Sequence, residues 1–515
     1  MEFILSLDVG TSSIRGTVYS LEGKQIYSTA YSYTPRFFKD GRVRQSPESW
    51  RKGVIEVLSG CGAYIVDTQH RILAISVTSQ RASVIPMDTE GHPLYDAIMW
   101  QDITTYRECS TIAETMCESE VYSITGLRIN PYFSAPKILW IKEHEPEIFT
   151  AASKFVGVQD YVVHILTGKF VTDYSQACRT LFLDISTQEW NSSMLEVCLI
   201  DASKLPELVP PGTIIGPLLS EISDATGLPG EVPIVLAGGD QQVAAIGMGV
   251  ISEGTVEANT GTGSFIIAPI DTPLLHPEAR TLCSVAAIPR QWVIEAGVLT
   301  TGILYSWFAK EFIATGGGEN GKVVDYTEIN KLVQQSPPGA HGIIALPHFK
   351  GSTAPFWNPY AKGCFFNLTL ANTRSDMARA LLESIVLEMG DNLKLIREIL
   401  PHPVNEIVVA GGLTNFKLFN QLQSDVFDAE LRLPSTSEAS SLGALISGLV
   451  SLGIYADYQS AYNATQHTKC SRLYPTPHRA ALYKETARLR KKLYRVLEEN
   501  GIYQEADEYT KKLEK

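Results

Sequence analysis

The chain of 515 residues predicts an α/β protein of two domains, each a mixed sheet flanked by helices, around a central cleft. Its length exceeds what one hydrophobic core supports, and two domains of roughly 200–250 residues follow from that length. A second observation is internal similarity, because a strand, a Gly/Thr turn and another strand at residues 4–19 recur at residues 255–267. The recurrence indicates two related halves whose first hairpin turns face one shared cleft.

Three glycine-rich turns follow predicted strands, at residues 8–11, 260–263 and 410–412. Glycine lets backbone N–H groups approach an anion closely, and a carboxylate such as Asp8 can hold a hydrated Mg²⁺. An Asp-x-Gly turn also occurs in ordinary hairpins, so the first turn alone leaves both interpretations open. Three such turns in two sheet-bearing domains favour a nucleotide site, since their N–H groups and Thr hydroxyls can bind phosphate oxygens.

The first half of the chain alternates between strand and helix patterns. We expect strands within residues 3–35, 72–78, 83–87 and 232–237, a helix from about Pro47, mostly helix over 103–205, a loop at 206–212 and a helix from Gln241.

The second half of the chain shows the same pattern of strands and turns and ends in a helical pattern. We expect strands at 255–259, 265–267 and 407–410, a flexible surface loop at 314–321, a helix from about Asn415 and a charged, solvated helix after 475.

Composition excludes several classes of function. A net charge of −13 disfavours a sequence-independent nucleic-acid binder, which needs a basic surface. No uninterrupted apolar run reaches 18 residues, so we expect no membrane partner. The eight cysteines are scattered without zinc-like spacing, which predicts buried free thiols and a cytoplasmic protein. Neither a P-loop nor a dinucleotide-binding glycine motif is present.

Asp240 is the first candidate for catalysis. It follows Gly238-Gly239 at the end of a predicted strand and begins a helix. A carboxylate in that position can accept a proton from a hydroxyl that attacks phosphorus. The alternative is a plain helix N-cap, a role that Asp often fills. The flanking Gly-Gly and Gln-Gln favour the catalytic interpretation.

These residues belong to a set that resembles the FGGY carbohydrate kinases, most closely the glycerol-kinase branch, over about residues 3–455. The run at residues 132–144 fits the N-terminal signature of that family at each defined position. Further similar segments are residues 97–102, 173–175, 237–242, 354–360, 382–385 and 423–425. The C-terminal signature is largely met, with Asn367 where glycine is usual.

The resemblance implies two ribonuclease-H-like domains of the actin-like ATPase type. Residues 1–247 would form the sugar-binding domain, 248–455 the nucleotide-binding domain, and 456–515 a helical tail. The implied activity is in-line transfer of the γ-phosphoryl group of ATP, with Mg²⁺, to a terminal hydroxyl of a small sugar or polyol. Closure of the domains would use hinges near 247–255 and 435–445. Family members are often homodimers or homotetramers.

The resemblance also assigns roles residue by residue. Asp240 would be the general base, and Asp8 and Asp240 would lie at the metal. The substrate would contact Arg81, Trp100, Tyr132, Asp240 and Gln241. The nucleotide side would comprise Thr11, Ser12, Arg15, Gly261, Thr262, Gly302, Gly411, Gly412 and Asn415.

Departures from the family pattern leave the substrate open. Ala82 stands where glycerol kinases carry Glu, and loss of such an acceptor can cost roughly 10⁴-fold in discrimination. Ala82 therefore argues against glycerol and leaves room for a bulkier ligand. The Met-His-Gly of xylulose kinases is absent, and Ile103-Thr104 follow Asp102 where Arg is common. A tetritol, tetrulose, pentulose, linear diketone derivative or glycerol all stay open.

Two rival functions share this fold. A sugar- or nucleotide-sensing protein without catalysis is one, because function depends on the site and not on the fold. Intact Asp8, Thr11 and Asp240 favour an enzyme over that sensor. An ATPase of the chaperone type is the other rival, and the sugar-side residues Arg81 and Tyr132 argue against it.

Overall fold

Two mixed sheets form the core of the protein. The structure, a computed structural model, describes residues 1–68, 70–313, 326–434, 438–466 and 470–513. The predicted loop at 314–321, and residues 435–437 of the second predicted hinge, lie outside these ranges.

The first sheet has six strands in the order β3-β2-β1-β4-β6-β5. Its strands are β1 (Glu2–Val9), β2 (Ser13–Ser20), β3 (Gln25–Ser32), β4 (Arg71–Ser79), β5 (Ile214–Pro217) and β6 (Pro233–Gly239). Strand β1 pairs antiparallel with β2 and parallel with β4, and β4 pairs parallel with β6. The central strands β1 and β4 are buried over most of their length because the sheet is covered on both faces.

The second sheet has seven strands in the order β9-β10-β8-β7-β11-β12-β13. They are β7 (Thr255–Thr260), β8 (Ser264–Ile270), β9 (Leu282–Val285), β10 (Trp292–Val298), β11 (Glu406–Ala410), β12 (Leu431–Leu433) and β13 (Ser471–Leu473). From β10 to β13, three antiparallel strands are followed by two parallel ones and an antiparallel edge, as in the first sheet. The predicted repeat therefore extends from one hairpin to six strands.

Helices cover both sheets and fill the connection between β4 and β5, as the sequence predicts. They are α1 (Pro47–Thr68), α2 (Tyr106–Thr115), α3 (Glu118–Thr125), α4 (Ser134–His144), α5 (Pro146–Ala151), α6 (Val158–Thr167), α7 (Tyr174–Ala177), α8 (Ser192–Val197), α9 (Ser220–Thr226), α10 (Asp240–Gly247), α11 (Gly302–Phe312), α12 (Tyr326–Gln335), α13 (Arg374–Ile399), α14 (Lys417–Phe427), α15 (Ala439–Ser451), α16 (Tyr458–Thr465), α17 (Pro477–Glu499) and α18 (Ile502–Leu513).

Short strands complete the connections. They span Arg36–Phe37, Val43–Gln45, Ile85–Met87, Ala97–Ile98, Lys154–Val156, Val171–Asp173, Leu183–Asp184, Glu189–Trp190, Glu207–Val209, Ile344–Leu346 and Cys364–Phe366. Among the described residues, none of the helices combines the length and apolarity that a bilayer crossing requires. All eight cysteines are free, and five of them are buried.

Helices α10 and α15 cross between the two sheets with their backbones in contact. A Cβ atom on Gly443 would lie 1.8 Å from the Val243 carbonyl oxygen, and one on Gly247 would lie 2.0 Å from the Ala439 carbonyl oxygen. Helix α15 lies between β12 and β13 of the second sheet along the chain yet packs on the first sheet, where Ser6 Oγ donates to the Ser441 carbonyl at 2.8 Å. Both helices thus join the two halves.

The C-terminal tail is helical as predicted, but it is not simply a solvated helix. Helix α17 buries Ala480, Tyr483, Arg490 and Tyr494 along one face, and β13 extends the second sheet. The guanidinium of Arg490 pairs with Glu388 and Asp391 of α13. The sequence pattern does not indicate this buried face, because the buried residues include an arginine among the interleaved charged residues of the helix.

Arg490→Met tests whether the tail stabilises the second domain. The substitution leaves the buried Glu388 without its guanidinium partner and leaves Asp391 with Lys491 as its cation, so we expect the free energy of unfolding to fall by about 3 kcal/mol in urea denaturation. Arg488→Met is the matched control, since Arg488 pairs with Glu485 on the exposed face of the same helix and such pairs contribute little. Equal effects of the two substitutions would contradict the docked tail.

Candidate active site

The turn after β1 is fixed by hydrogen bonds from several elements. The Gly10 N–H donates to the Ser13 carbonyl at 3.0 Å. The Gly10 carbonyl accepts from Tyr33 OH at 2.5 Å and from Gln80 Nε2 at 3.3 Å. Asp8 lies at the end of β1, opposite Arg15 of β2 in the sheet register. Its carboxyl group is therefore held at the carboxyl edge of the first sheet.

Asp8 and Asp240 influence each other electrostatically. Burial raises the pKa of Asp8 to about 7, the Asp240 and Glu438 carboxylates add to the rise, and Arg15 opposes it. Burial also raises the pKa of Asp240, against the lowering influence of Arg81 and of the Gln241 N–H. Carboxylate oxygens are the ligands that Mg²⁺ prefers, and a cation beside both groups would relieve their repulsion. The donor set fits Mg²⁺.

Asp240 begins α10 directly after β6. The N-cap position belongs to Gly239, so the interpretation of Asp240 as a plain N-cap is wrong. Its Oδ1 accepts from the Gln241 N–H at 2.7 Å, and its side chain is only partly buried. The second carboxylate oxygen is available to a ligand at the edge of the sheet.

Arg81 and Gln241 form one unit on the sugar side. Arg81 Nη2 donates to Gln241 Oε1 at 2.8 Å. The arginine stem packs on Gly239, where a Cβ atom would lie 2.3 Å from Arg81 Cδ, so a larger residue there would displace the arginine. Within the described residues, the buried atoms Arg81 Nη1 and Gln241 Nε2 have no hydrogen-bond partner. Arg81 Nη1 does form an ion pair with Glu295 Oε1 at 3.8 Å, beyond hydrogen-bond distance.

Trp100 connects the phosphate-side turn to the sugar side. Its Nε1 donates to Thr11 Oγ1 at 3.1 Å, and its ring centroid lies 5.5 Å from that of Tyr132. Burial raises the pKa of the Tyr132 hydroxyl, while Arg179 and Arg81 oppose the rise. The structure therefore brings together Thr11, Trp100 and Tyr132, which the sequence assigns to two different subsites.

Sequence reasoning did not single out Lys137. Its buried Nζ donates to the carbonyl groups of Pro131 at 2.8 Å, Tyr132 at 2.5 Å and Phe133 at 2.9 Å. These three bonds fix the loop that carries Tyr132. The sequence did offer one signal, because Lys137 lies inside the signature at 132–144, five residues after Tyr132. In the structure Lys137 is one of the buried residues of α4.

The second half supplies a cluster of backbone groups. The Gly302 N–H donates to the Gly261 carbonyl at 3.1 Å, and the Thr301 N–H donates to the Thr262 carbonyl at 3.1 Å. Gly411 has a φ of 99°, and a Cβ atom there would lie 2.1 Å from the Thr260 carbonyl oxygen. The turns after β7 and β11 and the start of α11 therefore meet.

The remaining nucleotide-side residues lie around these two turns. Arg15 Nε pairs with Glu438 Oε2 at 3.1 Å, immediately before α15. Ser12 is exposed, and its carbonyl accepts from the Tyr33 N–H at 3.0 Å. Gly412 and Asn415 begin and end a short 3₁₀-helix after β11. A Cβ atom on Gly412 would meet nothing within 4 Å.

The departures from the family pattern have structural counterparts. Ala82 has a φ of 64° and lines a cavity of about 30 Å³ with Ser83, Asp160 and Gln176. Asn367 has a φ of 68°, a left-handed conformation that Asn adopts more readily than most residues, which explains why it can replace glycine.

Asp102 is satisfied without an arginine at the next two positions. Its Oδ2 accepts from the Val43 N–H at 2.8 Å, and Arg44 pairs with the same oxygen. Its Oδ1 accepts from Thr104 Oγ1 at 2.6 Å. Arg44, from a separate strand, therefore supplies the cation at this position.

Two repeated α/β halves with glycine-rich turns and paired carboxylates at their strand ends define a two-domain phosphotransferase of the actin-like ATPase type. Family models match most of the chain: "FGGY family of carbohydrate kinases, N-terminal domain" over residues 3–247 and the C-terminal domain of the same family over 256–452. The chain belongs to the FGGY family of carbohydrate kinases. It is an ATP-dependent kinase whose acceptor is an alcohol group of a sugar or polyol.

Named relatives differ in substrate. The chain is 30% identical to a gluconokinase of Bacillus subtilis over 457 residues, 88% of each chain. It is 30% identical to glycerol kinase 2 of Saccharolobus solfataricus over 462 residues, 87% of this chain and 88% of the relative. A crystal structure of gluconate kinase from Lactobacillus acidophilus has a TM-score of 0.88 at 26% identity, covering 96% of this chain and 98% of the other.

The Asp8→Asn substitution, measured in EDTA to remove metal ions, tests whether the folded protein raises the pKa of Asp8. Between pH 4 and pH 7 the folded protein keeps a proton on Asp8 that the unfolded chain has released, so the folded state loses stability as pH rises. The Asn variant lacks this loss. We therefore expect the free energy of unfolding of Asp8→Asn, relative to that of the wild-type protein, to rise by roughly 2 kcal/mol from pH 4 to pH 8. This is less than the free energy that corresponds to the whole pKa shift of Asp8, because its carboxyl group is partly exposed.

The measurement is urea denaturation of both proteins at each pH. Parallel pH profiles would contradict the raised pKa of Asp8.

Proposed function

We propose that Asp240 is the general base of the kinase reaction. It would accept the proton of the terminal hydroxyl while that oxygen attacks the γ-phosphorus and the β–γ bridging oxygen leaves with ADP. Its position at the start of α10 supports this role, since the carboxylate lies beside Arg81 and Gln241 on one side and Asp8 on the other. Burial raises its pKa, which makes the carboxylate a better base near neutral pH.

The nucleotide is proposed to bind between the turns of the two sheets. Thr11, Ser12 and Arg15 would contact the terminal phosphate from the first domain. Backbone groups of Gly261, Thr262, Gly302, Gly411, Gly412 and Asn415 would hold the rest of ATP. Asp8 and Asp240 would hold Mg²⁺, which when bound neutralises phosphate charge. Residues 1–247 thus act as the sugar domain and residues 248–455 as the nucleotide domain, with 456–515 as the tail.

We further propose that the acceptor is an acyclic polyhydroxy acid of the aldonate class. The observation that carries this is the buried pair Arg81 and Gln241. Gln241 Nε2 has no hydrogen-bond partner among the described residues, and Arg81 Nη1 makes an ion-pair contact with Glu295 Oε1 at 3.8 Å but no hydrogen bond. A buried donor without a partner is costly, and a substrate carboxylate would satisfy both. Ala82 supplies no acceptor that would compete, and relatives of this chain include gluconokinases.

We also propose that the enzyme works in the cytoplasm as a homodimer or homotetramer, and that its two domains close on the substrate. Closure would exclude water and limit ATP hydrolysis. The chain leaves α10 at Gly247 and enters β7 of the second sheet at Thr255, which supports a hinge near 247–255. The second hinge is proposed near 435–445, where residues 439–445 belong to α15.

The test is ADP release from Mg-ATP across gluconate, xylulose, ribulose, erythritol, erythrulose and glycerol, run beside Asp240→Asn. We expect the lowest KM with gluconate. In Asp240→Asn we expect kcat to fall roughly 10²–10⁴-fold, because a general base contributes that much. Asp376→Asn is the matched control, a buried carboxyl group of the second domain that accepts from the Thr373 N–H outside the proposed site.

A ketose or an uncharged polyol with the lowest KM would contradict the aldonate assignment. An Asp240→Asn variant with the kcat of Asp376→Asn would contradict the role of Asp240.

A further inference from the structure

Glu295 belongs to the second sheet but bonds to residues of the first domain. It lies on β10 and is 3% exposed. Its Oε2 accepts from Arg179 Nη2, and its Oε1 accepts from Gln242 Nε2 at 3.4 Å. The same Oε1 lies 3.8 Å from Arg81 Nη1. One carboxylate of the second domain therefore faces two arginines of the first.

The two neighbouring guanidinium groups favour the ionised form of Glu295. Burial would raise its pKa, but the guanidinium groups of Arg179 and Arg81 lower it further, and the net pKa is below the usual range. An ionised carboxylate between two buried guanidinium groups removes most of their mutual repulsion, which otherwise would separate them. Glu295 thus fixes the spacing of Arg81 and Arg179.

Arg81 and Arg179 each contact residues of the proposed sugar subsite. Arg81 donates to Gln241 and packs on Gly239, next to Asp240. The Arg179 guanidinium lies 5.9 Å from the centroid of the Phe133 ring, and its carbonyl accepts from the Ser134 N–H at 3.4 Å. The loop that Lys137 holds is therefore bounded on its other side by the partner of Glu295.

We infer that Glu295 is a positioning residue for the sugar acceptor, because it orients Arg81 from the opposite domain. The sugar subsite is therefore complete only when the two sheets have the spacing that brings Glu295 to Arg81. The inference rests on the proposed role of Arg81 in the substrate site. Glu295 itself acts through the two arginines. Because its bonds cross between domains, its loss is expected to weaken the sugar subsite and to leave the nucleotide turns of the second sheet intact.

Glu295→Gln tests this role because the amide keeps the size of the side chain and removes its charge. We expect KM for the sugar acceptor to rise roughly 10-fold or more, as for loss of a buried charge-assisted bond, and KM for ATP to change less than about twofold. Glu388→Gln is the matched control. It removes a carboxylate from the buried Arg490 cluster, so it is expected to lower stability and to leave KM for the acceptor unchanged.

Two further variants separate the possible outcomes. Arg81→Lys tests the proposed function, which fails if KM for the acceptor is unchanged. If Arg81→Lys raises this KM while Glu295→Gln behaves like Glu388→Gln, the role of Glu295 is overturned. Where Glu295→Gln does not fold, Glu295→Asp decides, since it keeps the charge but withdraws it from Arg81. A raised acceptor KM in Glu295→Asp supports the inference, and an unchanged one overturns it.

Discussion

The contact between α10 and α15 is the constraint on which the rest of the structure depends. Gly247 and Gly443 let the two helix backbones touch, which sets the separation of the sheets. Helix α10 presents Asp240 at its first residue, and the residue before α15 is Glu438, which pairs with Arg15. A wider crossing would move both helix starts away from Asp8, and the two carboxyl groups would no longer share one cleft.

The site follows from this geometry because its parts come from different chain segments. In the proposed site, strand β1 supplies Asp8 and α10 supplies Asp240, while Glu295 of the second sheet acts through Arg179 and Arg81. The strand ends and glycine turns place backbone donors for an anion at the same edge. Catalysis is thus expected to depend on the spacing of two sheets as much as on any single residue.

The sequence predicts the elements that local pattern controls. The repeated strand–turn–strand unit, the order of strands and helices, and Asp240 at a helix start follow from periodicity, glycine positions and family motifs. Glu295 and Lys137 escape prediction because their partners lie far away or are backbone carbonyl groups. The buried face of α17 is hidden by Arg490, and the tolerance of Asn367 becomes clear only from its positive φ.

The most direct measurement is the steady-state kcat/KM of Gly443→Ala beside Gly448→Ala. An added Cβ at residue 443 would lie 1.8 Å from a backbone oxygen of α10, whereas at residue 448 it would meet Ile4 side-chain atoms at 3.3 Å. The account predicts that Gly443→Ala loses at least about tenfold in kcat/KM, since small displacements of reacting groups cost that much or more, while Gly448→Ala stays near wild type. Equal activity of both variants in folded protein would contradict it.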